Sequence, residues 1–420
     1  MKCLMILLTA CLALGTCGAA CADTQSTADK NPVLVARDAQ YWDAWNCAGA
    51  ANQLTGRDKT ADFKKFLDKK GYALLTHQAA LFATLQTAAM KGTKEEWDMV
   101  VKYVKDDAVY SCRDDRGRTL LFMVGDVCDC SLPYKYSKDG PEIAKFLVGE
   151  KKLDVNARAK DESTPLFGCA DPKLIDYLIS KGADIEAKDR RGYTPLMSAC
   201  GWKDGDKAAV ALIEHGADPS VEAPNGYTAL FEAAASGQSE SIPALLKALV
   251  GRLPDSEHTS TRYVVDTPMN VPKKDWNGWT PLCVAVYYNN LESAKALIKC
   301  GANVDFRKPP RWQSTWQLNG FERDGSTPIF EASAAMAKLL IESGADVNAV
   351  DAHGLPPLYT ASGPPGTNSD KVEVLLAAGA NPFPDARKPT PYQQALKKGN
   401  QAVIAVFRKY HADVVNPNCK

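Results

Sequence analysis

One recurring pattern limits what this chain can fold into more than any other feature. Its clearest copy covers residues 189–222: Asp189, Gly192 and Tyr193, then Thr194-Pro195-Leu196, an aliphatic stripe at Ala208, Val210, Ala211, Leu212 and Ile213, and a closing Gly216-Ala217-Asp218. Thr-Pro-Leu or a near variant returns at Thr164, Thr228, Thr280, Thr327 and Thr390, and Gly-Ala-Asp or Gly-Ala-Asn at Gly182, Gly301, Gly344 and Gly379. The step is 30 residues from Thr164 to Thr194 and 34 from there to Thr228. A unit this short cannot bury its apolar face alone, so the units must stack. A stack grows by adding units, so the length of 420 residues does not count independent cores.

Each part of the unit has a physical reason. Asp189 and Gly192 suit a reversing tip, because glycine accepts backbone angles that side chains resist. Thr194 is placed to cap a first helix, and Pro195 sits in its first turn, where a missing N–H costs nothing. The second helix carries aliphatics at helical spacing, as in Leu174, Ile175, Leu178 and Ile179 or Val372, Val374, Leu375 and Leu376. Gly344 and Gly379 then end it in a left-handed residue.

From about Asp114 onward, Asp-x-x-Gly-x-Thr-Pro-Leu, two helices and Gly-Ala-Asp recur at a period of about 33 residues, and the chain resembles an ankyrin-repeat protein. The resemblance implies an all-α fold, an ankyrin-repeat solenoid of stacked helix-turn-helix units with β-hairpin tips. Tips and first helices should together form one long concave binding surface.

In that frame residues 114–415 hold about seven units and a closing cap. The first spans 114–158 with an insertion at 125–140, the second 160–188, the third 189–222; the fourth begins at Pro224 and the fifth at Asp275, followed by 323–350, a seventh from Asp351 and a cap over 388–415. Units two and six are short between their helices and should notch the inner surface. Insertions at 251–274 and 306–322 bracket the fifth unit, and their composition reads as loops or extended hairpins. Residues 36–113 read as a helical N-terminal cap or degenerate repeat, with helical spacing over 36–54, 60–69, 76–91 and 94–105. Residues 23–35 read as a polar flexible arm, and 416–420 as a tail.

Residues 1–22 differ from the rest. Lys2 is followed by a mostly apolar stretch to Leu14 and by Ala20-Cys21-Ala22, the pattern of a secretory signal cut after Ala22. The expectation is an exported protein of bacterial type, periplasmic or secreted; a lipoprotein anchored to the envelope is the alternative, because Leu8-Thr9-Ala10-Cys11 resembles a lipobox. No later run is long enough to span a bilayer. Charges balance at 50 against 50, which gives no general pull toward nucleic acid.

Thirteen cysteines fall to nine once residues 1–22 are set aside. Cys169, Cys200 and Cys283 fall on the buried side of repeated helices and read as packing residues. Cys112, Cys128 and Cys130 are the disulfide candidates, and a lone Cys128-Asp129-Cys130 is too weak a signal for a metal site.

Neither a catalytic constellation nor a cofactor motif emerges. The five histidines form no metalloprotease pair. Gly237-Gln238-Ser239-Glu240-Ser241 misses the nucleophile elbow at its last residue, and His215 and His411 occupy helix-ending positions. The expected role is a non-enzymatic protein-binding scaffold in the cell envelope, or an inhibitor or immunity-type protein that neutralises a secreted toxin or enzyme. The residue before each threonine falls between framework positions, and it is aromatic at Tyr193, Tyr227 and Trp279. Trp276, Trp312 and Trp316 add rings near the fifth unit, and Arg190 and Arg191 add charge on the third tip. Tyrosine, tryptophan and arginine dominate binding energy elsewhere, which makes these eight the candidate partner-binding residues.

Overall fold

The computed structural model describes residues 78–91, 93–125, 139–251, 264–268, 278–307, 325–363, 369–383 and 388–413, with single positions at 64, 385 and 415. The leader, the arm, the helix expected over 36–54, all but position 64 of the one expected over 60–69, and most of the three insertions lie outside these residues. So do Cys128, Cys130, Trp276, Trp312 and Trp316.

The described chain opens with α1 (Gln78–Lys91) and α2 (Lys94–Val101). Thr93 caps α2 in a capping box with Glu96, whose side chain reaches back to the Thr93 backbone. The inner and outer helices of successive units follow. They are α3 (Leu120–Gly125) and α4 (Gly140–Lys145), a 3-10 turn (Pro165–Gly168) and α5 (Pro172–Ser180), α6 (Pro195–Cys200) and α7 (Asp206–Glu214), and α8 (Ala229–Ser236) and α9 (Ser241–Val250). The stack continues with α10 (Pro281–Tyr287) and α11 (Leu291–Lys299), a 3-10 turn (Pro328–Phe330) and α12 (Ala334–Glu342), α13 (Pro357–Ala361) and α14 (Ser369–Ala377), and α15 (Pro391–Lys398) and α16 (Gln401–Lys409). Inner helices pack on inner helices and outer on outer, α6 on α8 on α10 and α7 on α9 on α11. Leu196, Leu230, Leu282 and Leu358 each lie buried at the start of an inner helix. One continuous apolar core results.

The tips are tight turns with no paired strands among the described residues. In the third unit the Asp189 N–H donates to the Tyr193 carbonyl at 3.0 Å, and Asp189 Oδ1 accepts the backbone N–H groups of Arg191 and Tyr193. Gly192 has a φ of +79°, and a Cβ there would lie 2.5 Å from Pro224 of the next tip. Tips bond to neighbouring tips instead of forming ladders: Lys160 N–H reaches the Arg116 carbonyl and Arg190 N–H the Asp161 carbonyl, each at 2.8 Å.

The Asp or Asn closing Gly-Ala-Asp does two jobs. Its side chain accepts from the backbone two residues on, as in Asp184 to Glu186 and Asp346 to Asn348, an Asx turn. Its own N–H is taken by an acidic or amide side chain of the preceding unit: Asn156 for Asp184, Glu186 for Asp218, Asp305 for Asp346 and Asn348 for Asn381. Asp266 does the same for Asn303 at 2.9 Å, and Val264 and Val265 beside it are buried in a helical turn. The insertion expected over 251–274 as loop or hairpin therefore rejoins the repeat frame at Val264, because the next unit needs that acceptor and that apolar contact.

Threonine capping holds at Thr194, Thr280 and Thr390, each accepting from the N–H three residues on. It fails at Thr164 and Thr327, whose hydroxyls are buried without a partner. Both precede the single 3-10 turns that replace the inner helices of units two and six, the shortening that the sequence implied. A shortened helix leaves a carbonyl facing the next unit. Ser198 Oγ donates to the Phe167 carbonyl at 3.2 Å, and the buried Lys371 Nζ donates to the Phe330 carbonyl at 2.8 Å.

Candidate binding face

The inner surface of units three to five gathers most of the described aromatic candidates around one acidic residue. Glu232 sits in the first turn of α8. Burial holds its carboxyl above the usual range, against the opposing pull of the Tyr193 hydrogen bond and the Arg191 charge. Tyr193 reaches it from the preceding tip: its hydroxyl donates to Glu232 Oε1 at 2.7 Å and accepts from Asn225 Nδ2 at 2.9 Å. The Arg191 guanidinium lies over the Tyr193 ring, 4.4 Å from its centroid, while its Nε donates to Asp189 Oδ2 at 2.9 Å.

These contacts correct the sequence-based assignment of Tyr193. It is 9% exposed and joins two repeats, so it is not offered to a partner. Trp279, expected among the partner-binding residues, is 3% exposed. Its ring meets Tyr287, at the end of its own inner helix, edge-on at 5.6 Å and 75°. Arg190 is exposed, but it donates to the Lys160 carbonyl at 2.7 Å, and Arg191 is held on Asp189. Arg190 ties its tip to the preceding one, and Arg191 braces its own.

Among the candidates, Tyr227 is half-buried, and burial, then Tyr288 and Glu232, push its hydroxyl up to about 12. Tyr287 and Tyr288 were missed by sequence reasoning. They are 49% and 46% exposed and meet edge-on at 5.3 Å. Burial, then Tyr287 and Glu232, raise the Tyr288 hydroxyl as well. Their signal was present: where the fourth unit ends its inner helix in Ala235-Ser236, the fifth ends in Tyr287-Tyr288.

The other singled-out residues have structural jobs. Gln238 is fully buried; its Nε2 donates to the carbonyls of Ala199 and Trp202, each at 2.7 Å, and its Oε1 accepts from Ser241. The near-miss elbow is thus a joint that satisfies the end of the preceding inner helix. His215 meets Asp176 at 2.7 Å on the outer helices, and His411 takes the left-handed place of the usual glycine at φ +51°. Cys169, Cys200 and Cys283 are buried. Cys112, expected as a disulfide candidate, is a free thiol directed at the Ala108 carbonyl of its own turn. Among the described residues no cluster of three His, Cys, Asp or Glu is placed to hold a metal, and no helix is long and apolar enough to cross a membrane.

A family model of ankyrin repeats in three copies matches residues 134–223, 168–256 and 205–308, and the single ankyrin-repeat model matches 324–352. The chain carries ankyrin repeats. It is 26% identical over 222 residues to the tyrosine-protein kinase HTK16 of Hydra vulgaris, which covers 51% of this chain and 26% of the kinase. It is 25% identical over 260 residues to the B-cell lymphoma 3 protein homolog of Mus musculus, covering 59% of this chain and 49% of that one. The crystal structure of the human ASB11 ankyrin repeat domain is 22% identical with a TM-score of 0.41, covering 57% of this chain and 92% of that domain. The ankyrin chain thus spans less than half the length of these two curated relatives. Ankyrin stacks are binding scaffolds, framework fixed by packing and variable positions open to a partner.

Proposed function

We propose that this ankyrin-repeat chain is a non-enzymatic binding protein that holds another protein on the inner face of units three to five, and that it works in the cell envelope. The observation that carries the binding site is the exposed pair Tyr287 and Tyr288, continuous with Tyr227 and Glu232. Tyrosine offers large amphipathic contact area with little side-chain entropy to lose. Each neighbouring ring is fixed by the fold, so the face is preorganised. The envelope location is supported by the apolar leader over residues 1–22. An inhibitor or immunity-type role is the same binding mode with a secreted toxin or enzyme as occupant.

The test is affinity capture from the native envelope with the full chain and with Tyr287→Ala/Tyr288→Ala. Both positions are half-exposed, so the double variant keeps its helical circular dichroism. The proposal expects a partner captured by the parent protein and lost from the variant. Equal capture by both sinks the site.

A further inference from the structure

The tips of the first three units carry positive charge that their own fold leaves without a counterion. We propose that this tip edge is a second docking surface, which takes an acidic segment of a protein partner with carboxylates seated on Arg113 and Arg158. It shares no residue with the tyrosine face proposed above, so mutation separates the two surfaces.

Arg113 and Arg158 hold one repeated pose. Arg113 Nη1 donates to the Gly117 carbonyl of its own tip and to the Arg158 carbonyl of the next, each at 2.6 Å. Arg158 Nη1 donates to the Glu162 carbonyl at 2.6 Å and to the Lys188 carbonyl at 2.8 Å. Arg307 repeats the pose at the sixth unit, on the Gly325 and Val350 carbonyls. Each guanidinium is thus fixed through one nitrogen by two neutral acceptors. Among the described residues no carboxylate pairs with Arg113 or Arg158, and both are exposed. Their Nε–Nη2 edges are therefore open, and such an edge is a planar fork that binds a carboxylate bidentately. Fixing the fork beforehand reduces the side-chain entropy lost on binding.

The neighbours extend the charge along the stack. The Lys160 N–H bonds the Arg116 carbonyl at 2.8 Å, which sets these two residues side by side on adjacent tips. Arg116, Lys160 and Lys188 are exposed and make no ion pair among the described residues. Asp114 and Asp189 are already held by Arg118 and Arg191. The row ends at the fourth unit, where Glu222 takes the place of Arg113, Arg158 and Lys188.

The class of occupant follows from what interrupts the row. Asp115, Asp161 and Glu162 are exposed on the same tips and would repel a uniformly negative duplex or membrane, whereas a flexible peptide places its carboxylates on the arginines and passes between these acids. Residues 113–118, 158–163 and 188–192 include no aromatic side chain on which a base could stack.

The test measures binding of the full chain to a fluorescein-labelled peptide that alternates glutamate with glycine over about twelve residues, beside its glutamine counterpart and an oligothymidylate of equal charge. Binding should require glutamate and weaken with salt. It should fall about fivefold or more in Arg116→Gln/Lys160→Gln/Lys188→Gln, which removes no side-chain bond of the fold. It should also fall in Arg158→Lys, which keeps the charge and loses the fork, and stay unchanged in Tyr287→Ala/Tyr288→Ala. No binding of the glutamate peptide, equal binding by the triple variant or by Arg158→Lys, or tighter binding of the oligothymidylate overturns the inference and leaves the tyrosine face standing. Loss in the tyrosine variant instead places the acidic segment on the other face and overturns it too.

Discussion

Tyr193 donates its hydroxyl to Glu232 Oε1 across the junction of the third and fourth units, at 2.7 Å. A hydrogen bond to a charged acceptor contributes more than a neutral one, and removing the donor leaves the acceptor undersatisfied. Tyr193→Phe is expected to destabilise the stack by about 1 to 2 kcal/mol, since water reaches part of Glu232. The Glu232 pKa should rise further, because the Tyr193 bond is one of the influences that lower it. Urea unfolding and a carboxylate NMR titration check both. An unchanged midpoint and an unchanged pKa contradict the joint.

Lys371 makes stability depend on alkaline pH. It is 3% exposed, and burial lowers its pKa from 10.5 to about 8, against the charge of Glu331. The folded state then binds fewer protons than the unfolded state between pH 8 and 10.5, so unfolding takes up a proton and stability rises with pH. The Lys371 contribution is present in full above the unfolded pKa and is lost as pH falls through the folded one. The full swing is on the order of 3 kcal/mol. Between pH 7.5 and 9.5, the parent protein should gain stability that Lys371→Met does not gain. Parallel pH profiles for the two proteins contradict this.

Two glycines separate conformational from packing constraint. Gly216 has a φ of +90° and open space at the Cβ position, whereas a Cβ on Gly205 would lie 1.9 Å from the Ala199 carbonyl oxygen and 2.8 Å from Gln238 Nε2. Gly216→Ala costs about 1 to 2 kcal/mol for a left-handed non-glycine residue. Gly205→Ala forces the backbone and the Gln238 joint apart and costs about 3 kcal/mol or more. Thermal melts of the two variants rank them, and a Gly216→Ala loss equal to or larger than that of Gly205→Ala reverses the account.

The contrast between those glycines shows how far the sequence could be read. Gly216 repeats at fixed distance in each unit, so its role was visible as a period; Gly205 occurs once, and only the approach of the Ala199 carbonyl explains it. The two-helix units, the shortened second and sixth inner helices and the buried cysteines were legible because stacking imposes the same burial at the same repeat position. The direction of individual rings was not legible. Tyr193, Tyr227 and Trp279 share a register position, yet Trp279 is buried against Tyr287 and Tyr193 is bonded to Glu232, while Tyr227 stays half-exposed. Those outcomes depend on residues in the neighbouring unit or at the far end of the same helix. Tyr287 and Tyr288 escaped notice because they stand where an inner helix ends, a place that the repeat signature leaves unmarked.

The most direct test of the central claim places a photo-crosslinking amino acid at position 288 on the inner face, and separately at position 295 on the exposed side of outer helix α11, in the full chain in its native cells. Irradiation should yield one discrete protein adduct from position 288 and none from position 295. Adducts that form equally from both positions, or only from 295, would contradict a partner held on the Tyr227, Tyr288 and Glu232 face.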